Sequence, residues 1–176
     1  MVAVESRTIA ASPLCVPPVL YPALKLAHLL SIIAWVGGMA FAHFFLRPAV
    51  QALEPPQRLT LMRDVLQRFL GAMALAVAIV LASGIALIGL AHMDAAQALA
   101  MPPAWTFMAI LGLVMVAIFA GIWLRLFPRL NQAVNARQWP QAAAALAPIR
   151  HWVGVNLTLG VVIVAVDPNS DAARKG

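Results

Sequence analysis

The sequence is short of charge and almost without cysteine. Charged residues make up 10% of its 176 residues and hydrophobic residues 63%, with a mean hydropathy of +0.90, whereas an average soluble domain has roughly 25% charged residues. This composition excludes most classes of soluble enzyme and indicates an integral membrane protein. Cys15 is the single cysteine, so an intramolecular disulfide and a Cys-x-x-Cys metal site are both excluded. A bound metal or cofactor therefore needs histidine, methionine or carboxylate ligands.

Acidic residues are scarcer than basic ones. Asp and Glu number 6 against 12 Lys and Arg, which gives a net charge of +6. The basic residues are mostly arginines beside apolar segments, and no basic run is interleaved with aromatic residues. This distribution excludes nucleic acid as a partner and is typical of the charges that orient a protein in a membrane.

Four apolar segments are long enough to cross a bilayer, which needs about 20 residues of helix. They predict transmembrane helices over residues 22–46, 69–90, 104–127 and 149–166. We expect residues 1–21 to form an irregular periplasmic tail, residues 22–166 the four-helix domain, and residues 167–176 a polar C-terminal tail. Because short connections join the spans, the sequence predicts an all-α, antiparallel four-helix bundle.

The arginines are unevenly divided between the two ends of these spans. Eight arginines fall on the side that the chain reaches after its first span, and the other side holds four basic residues in all. The positive-inside rule then places the arginine-rich connections in the cytoplasm. We therefore expect a multi-pass protein of the bacterial inner membrane with both termini in the periplasm.

The four histidines fall at two depths of this predicted bundle. His28 and His92 lie near the outer face, and His43 and His151 lie near the cytoplasmic face. Two pairs at two depths would suit two metal or haem centres between facing helices, since imidazole ligates both haem iron and copper. Each histidine is also compatible with a plain interfacial hydrogen bond.

Three further residues of the first span are candidates. Trp35 and Met39 follow His28 by seven and eleven residues, which puts all three on one helix face. Met39 is a candidate metal ligand with His28 and His92, because thioether sulfur suits Cu(I). Trp35 is also compatible with core packing. Lys25, nearly one turn before His28, is compatible with snorkelling to the interface or with binding an anionic ligand such as a propionate.

The chain also contains a set of short distinctive motifs. They are Leu24-Lys25-Leu26-Ala27-His28, Ala34-Trp35-Val36-Gly37-Gly38-Met39, Leu46-Arg47-Pro48-Ala49 and Val153-Gly154-Val155-Asn156-Leu157. Over residues 22–166 they resemble the small bacterial members of the CopD (copper resistance protein D-like) family. The resemblance implies copper transport or resistance at the inner membrane, with a periplasmic copper-binding protein as a partner. Lys25, His28 and Trp35 are also similar, more distantly, to HemJ-type membrane haem proteins, whose lysine and histidine belong to a haem site.

Three functions are open on the sequence alone. The first is a copper-handling protein, which we expect not to be an enzyme. The second is a haem b protein that exchanges electrons with a redox partner or, as a HemJ-like oxidoreductase, oxidises a hydrophobic substrate. The third is a membrane scaffold with no cofactor. The lipid bilayer is a partner in all three, and homo-oligomerisation is left open.

Overall fold

The computed structural model describes residues 17, 19–94 and 103–165, with side chains for all of these except 91–94 and 104. Of the residues described, 95% are helical and none is in a strand. Four helices are long and apolar enough to cross a membrane. The prediction of an all-α protein with four membrane-spanning helices is therefore confirmed. The antiparallel arrangement of the whole bundle and the side on which the termini lie stay predictions.

The four candidate spans are longer than the apolar segments that predicted them. We call them spans 1 to 4, and they cover Leu20–Ala52, Pro55–Leu90, Trp105–Asn135 and Trp139–Ala165. The second helix itself runs from Pro55 to Asp94, because proline is well suited to the first turn of a helix, where its missing N–H is not needed. Span 4 is one continuous helix although Pro148 lies inside it.

Spans 1 and 3 share a local feature that the sequence analysis did not predict. The α-helix Leu20–Phe41 passes into a π-helix over Ala42–Leu46, and the α-helix Pro103–Gly121 passes into a π-helix over Ile122–Leu126. Each π-helix ends two residues before a proline, Pro48 in span 1 and Pro128 in span 3. Proline cannot donate a backbone hydrogen bond, and its ring clashes with the carbonyl one turn earlier. A wider π-turn moves that carbonyl away, so both helices continue past the proline.

The most tightly packed part of the bundle lies beyond these π-helices. We call it the arginine end, after Arg47, Arg58 and Arg150, which lie there. Leu130 and Ala142 have no exposed surface, and Leu146 is 1% exposed. This core joins the end of span 3 to the first turns of spans 2 and 4, and its other nearly buried members are Leu59, Ala133, Val134 and Ile149. The arginine end therefore supplies much of the tertiary packing.

Glycines allow span 1 to approach its neighbours closely. A Cβ atom at Gly38 would lie 2.7 Å from the Phe69 ring of span 2, and one at Gly160 would lie 2.8 Å from Val36 Cγ2. Both distances are shorter than real Cβ contacts, so a larger residue at either position would force the neighbouring side chain to shift. Small residues at these positions thus allow the helices to pack closely.

Candidate functional site

His28 joins spans 1 and 2 near the end of the bundle opposite the arginine end. Its Nδ1 atom lies 2.9 Å from Ser83 Oγ and 3.1 Å from the carbonyl oxygen of Val80. Ser83 is buried, and its hydroxyl donates a hydrogen bond to the carbonyl of Ile79. The imidazole is therefore held by two neighbouring groups on the facing helix. We call this region the His28 end.

The hydrogen-bond network assigns the proton on the His28 ring. A backbone carbonyl can only accept a hydrogen bond, so Nδ1 must carry the proton in order to donate to Val80. In the neutral ring Nε2 then carries the free lone pair. No side chain or backbone group that the structure describes hydrogen-bonds this Nε2 atom. Metal-ligating histidines commonly have this arrangement, with one ring nitrogen donating to a carbonyl and the other facing the metal.

A glycine next to the serine makes room for the ring. A Cβ atom at Gly84 would lie 3.3 Å from His28 Cε1, which is tighter than most side-chain contacts. The neighbour of the Ser83-Gly84 pair on the facing helix is therefore the His28 side chain. The contact with the Val80 carbonyl could not be predicted from the sequence, because every residue type has a backbone acceptor.

Lys25 and Trp35 lie on either side of His28 along span 1 and differ in environment. Lys25 is exposed. Trp35 is buried and packs edge-to-face against Phe119 of span 3, with ring centroids 6.1 Å apart. Trp35 therefore packs in the core, and its role in binding a cofactor stays a prediction. Lys25 makes no ion pair with the residues described.

Met39 lies in the centre of the bundle, where it meets a buried amide. Asn156 Nδ2 of span 4 donates a weak hydrogen bond to Met39 Sδ at 3.7 Å, and both residues are 2% exposed. Asn156 Oδ1 is buried and has no hydrogen-bond partner in the described structure. Met115 is also buried, and its Cε atom lies 3.3 Å from the Cβ position of Gly160, one turn beyond Asn156. Two thioethers therefore approach the same face of span 4.

The candidate ligands do not form one group. Met39 follows His28 by eleven residues on one helix, a rise of about 16 Å, so the two cannot ligate the same ion. His43 is half-buried, with its Cε1 atom 3.9 Å from the Cβ position of Gly154, whereas His151 is exposed. The ring contacts of the two histidines are with their own sequence neighbours, Phe44 and Trp152. The His92 side chain lies outside the described residues.

The described donors are spread along the bundle. Within residues 19–90 and 103–165, no three His, Cys, Asp or Glu side chains are placed together to hold a metal ion. Any metal bound there would have at most two ligands of these four residue types, and thioethers could complete its coordination. The sequence did not reveal the pairing of Met39 with Asn156, because span 4 could have faced span 1 at several rotations.

Comparison with known families identifies the kind of protein. The model of the family described as Copper resistance protein D, CopD, matches residues 63–167, more than half of the chain. The chain is a member of the CopD family. The family makes it a membrane protein related to copper resistance. A search of the curated proteins found no match, and a search of the solved structures found none either.

The CopD match covers less of the chain than the resemblance in the sequence. It includes Ser83, Asn156 and spans 3 and 4, but it begins after span 1 has ended. His28 and Met39 therefore lie outside the matched residues, and their partners Ser83 and Asn156 lie within them. Similarity to HemJ-type haem proteins is not shown by the comparison.

Proposed function

We propose that this CopD protein handles copper within the membrane, with His28 Nε2 as its first ligand from the His28 end. The observation that carries the proposal is the double anchoring of Nδ1 by Val80 and Ser83, which fixes the ring and leaves Nε2 free to bind. Imidazole suits copper, and neutral histidine is cheaper inside a membrane than a carboxylate. In this proposal copper is cargo, and the protein catalyses no covalent reaction.

Met39 and Met115 extend this proposal towards the centre of the bundle. Thioether sulfur is a soft ligand that favours Cu(I), and both side chains are buried against span 4. We infer that Cu(I) passes from His28 to these thioethers, since about 16 Å separates His28 from Met39 and excludes a shared ion. Sparse ligands suit passage, because an ion that is moving must also be released.

The orientation of the protein in the membrane is part of the proposal. The excess of arginine at one end supports placing that end in the cytoplasm of a bacterial inner membrane, with His28 and both termini towards the periplasm. A periplasmic copper-binding protein would then be the natural donor to His28. No specific observation favours haem b: His151 is exposed, and the side chain of His92 lies outside the described residues.

Copper loading of the purified full-length protein tests the function. The protein is loaded anaerobically with Cu(I), desalted, and its copper content and absorption spectrum are recorded in oxidised and dithionite-reduced forms. We expect colourless protein that retains copper, and His28→Ala should lose most of it. His151→Ala is the matched control because it also removes an imidazole, but from an exposed position. Equal loss in the two variants would contradict the role of His28.

The same spectra separate the other two functions. A Soret band with sharp reduced α and β bands, present in the wild type and lost in His28→Ala, would show that the bound cofactor is haem b and not copper. Colourless protein without copper, prepared from cells replete in metal and haem, would favour the cofactor-free scaffold. Copper that is retained with no haem bands supports the proposal.

Cysteine labelling tests the orientation. Cys15→Ser first removes the native thiol, and single cysteines are then introduced at Asp94 and Arg137. A membrane-impermeant maleimide applied to intact spheroplasts should label position 94 and should reach position 137 only after lysis. The reverse pattern would overturn the topology while leaving the copper ligands untouched.

A further inference from the structure

Three arginines from three separate parts of the chain converge at the arginine end. Arg47 directly follows the first π-helix, Arg58 lies in the first turn of span 2, and Arg150 lies within span 4. Arg58 Nη1 donates to Gln51 Oε1 at 3.2 Å, and Gln51 Nε2 donates to the backbone carbonyl of Arg47 at 3.3 Å. The Gln51 amide therefore ties the Arg58 side chain to the end of span 1.

The packing of span 1 on span 4 brings Arg150 to the same place. His43 meets span 4 at Gly154, and Val36 meets it at Gly160, so contacts later in span 1 fall earlier in span 4. Arg47 lies about one turn beyond His43, and Arg150 lies one turn before Gly154. Arg150 accordingly lies within the electrostatic range of both Arg47 and Arg58.

This group of positive charges has no acidic partner in the described part of the chain. The ion pair found there joins Arg63 and Asp64 at 2.8 Å, and it involves none of the three converging arginines. The Nε atoms of Arg58 and Arg150 are buried and without a hydrogen-bond partner among the described residues. Like charges held together repel, and buried donors without acceptors are costly. A bound anion would relieve both effects.

We propose that Arg47, Arg58 and Arg150 form a binding site for a phosphate-bearing anion between spans 1, 2 and 4. The planar guanidinium group matches phosphate oxygens in a bidentate way. Basic pockets between transmembrane helices bind anionic lipid headgroups where they meet the cytoplasmic leaflet. The phosphate group is the shared chemistry, whether it belongs to an anionic phospholipid or to phosphate in solution. The site does not depend on copper handling.

Lipid retention by the full-length protein tests this site. The protein is placed in nanodiscs of phosphatidylcholine with increasing phosphatidylglycerol, and bound lipid is counted by native mass spectrometry after release. We expect one retained phosphatidylglycerol per chain, bound about tenfold more weakly in Arg58→Gln/Arg150→Gln. The matched control is Arg129→Gln/Arg137→Gln, which removes the same charge from exposed positions of the same end. The control should bind as the wild type does.

A second experiment distinguishes the two sources of phosphate, and a second variant is used if the first one misfolds. Inorganic phosphate is titrated against the thermal unfolding of the protein in pure phosphatidylcholine nanodiscs. Stabilisation that Arg58→Gln/Arg150→Gln removes would assign the site to phosphate in solution and would support it equally. If that double variant does not fold, Arg47→Gln serves instead, because Arg47 is exposed. Equal loss in variant and control, or no response to lipid or phosphate, would overturn the proposal.

Discussion

At the arginine end, spans 2, 3 and 4 interlock around leucines with almost no exposed surface, whereas at the His28 end spans 1 and 2 meet through an imidazole, a serine and a glycine. The first kind of contact depends on shape and volume, so losing atoms there costs stability. The second depends on hydrogen-bond direction, so changing it alters what the ring can bind. The protein therefore keeps its packing and its candidate ligand in different places.

This separation has a consequence for function. A side chain that binds and releases an ion must tolerate change in its surroundings, and contacts with few buried apolar atoms are the ones that open most easily. If the arginine end holds the helices together, His28 can respond to a ligand without unfolding the bundle. The variants below test whether the two ends are separate in this way.

The largest effect is expected from the core of the arginine end. Leu130→Ala removes a side chain with no exposed surface and should lower the free energy of unfolding by about 2–5 kcal/mol. Leu30→Ala, the matched control, removes the same atoms from a residue that is 56% exposed and should change it far less. Unfolding in detergent, followed by circular dichroism, measures both. Similar losses in the two variants would show that the arginine end is not the main source of packing.

A smaller effect is expected at the His28 end, and on binding rather than stability. Ser83→Ala removes one of the two acceptors of His28 Nδ1 and should weaken Cu(I) binding about tenfold, as loss of an outer partner of a metal ligand commonly does. Thr158→Ala is the control, because Thr158 also donates to a backbone carbonyl within its own helix but makes no hydrogen bond to a described histidine. Competition with a chromogenic Cu(I) chelator measures both affinities. An unchanged affinity in Ser83→Ala would mean that the serine does not orient the ligand.

The smallest effect concerns the turn between spans 3 and 4. Arg137 has a positive φ of 55°, and Gln138 donates to the Ala133 carbonyl across it at 2.9 Å, as in a helix end that favours glycine. Arg137→Gly should raise the free energy of unfolding by about 1 kcal/mol. Arg129→Gly, inside the helix, should lower it by about the same amount. Two changes of the same sign would contradict the assigned turn.

Hydropathy was sufficient to predict four spans and an all-α protein, because the bilayer selects for length and apolarity. Hydropathy alone marks the membrane crossing and not the helix ends, since a helix such as Trp139–Ala165 begins outside its apolar segment. The π-helices were not predicted, because one extra residue in a turn hardly changes an apolar pattern. Pro48 and Pro128 follow the two π-helices, but Pro148 lies in span 4 without one, so a proline alone does not identify this feature.

The candidate site was predictable only in part. The spacing of His28 and Met39 on one helix face marks both as candidates. What each side chain can bind depends on the residues that face it, and the rotation of the facing helix is not encoded in a uniformly apolar span. The sequence does not show that Ser83 lies within hydrogen-bond distance of His28, or that Asn156 is the partner of Met39. The sequence does not show that Arg47 and Arg150 lie close together, because more than one hundred residues separate them in the chain.

The most direct test of the central claim is the state of the two nitrogens of the His28 ring. Nitrogen NMR of full-length protein with labelled histidine, in which His43, His92 and His151 are replaced by glutamine, reports a single imidazole before and after addition of diamagnetic Cu(I). We predict a proton on Nδ1 in the free protein and a large shift confined to Nε2 on addition of Cu(I). A ring protonated on Nε2, or one that does not respond to Cu(I), would contradict the account.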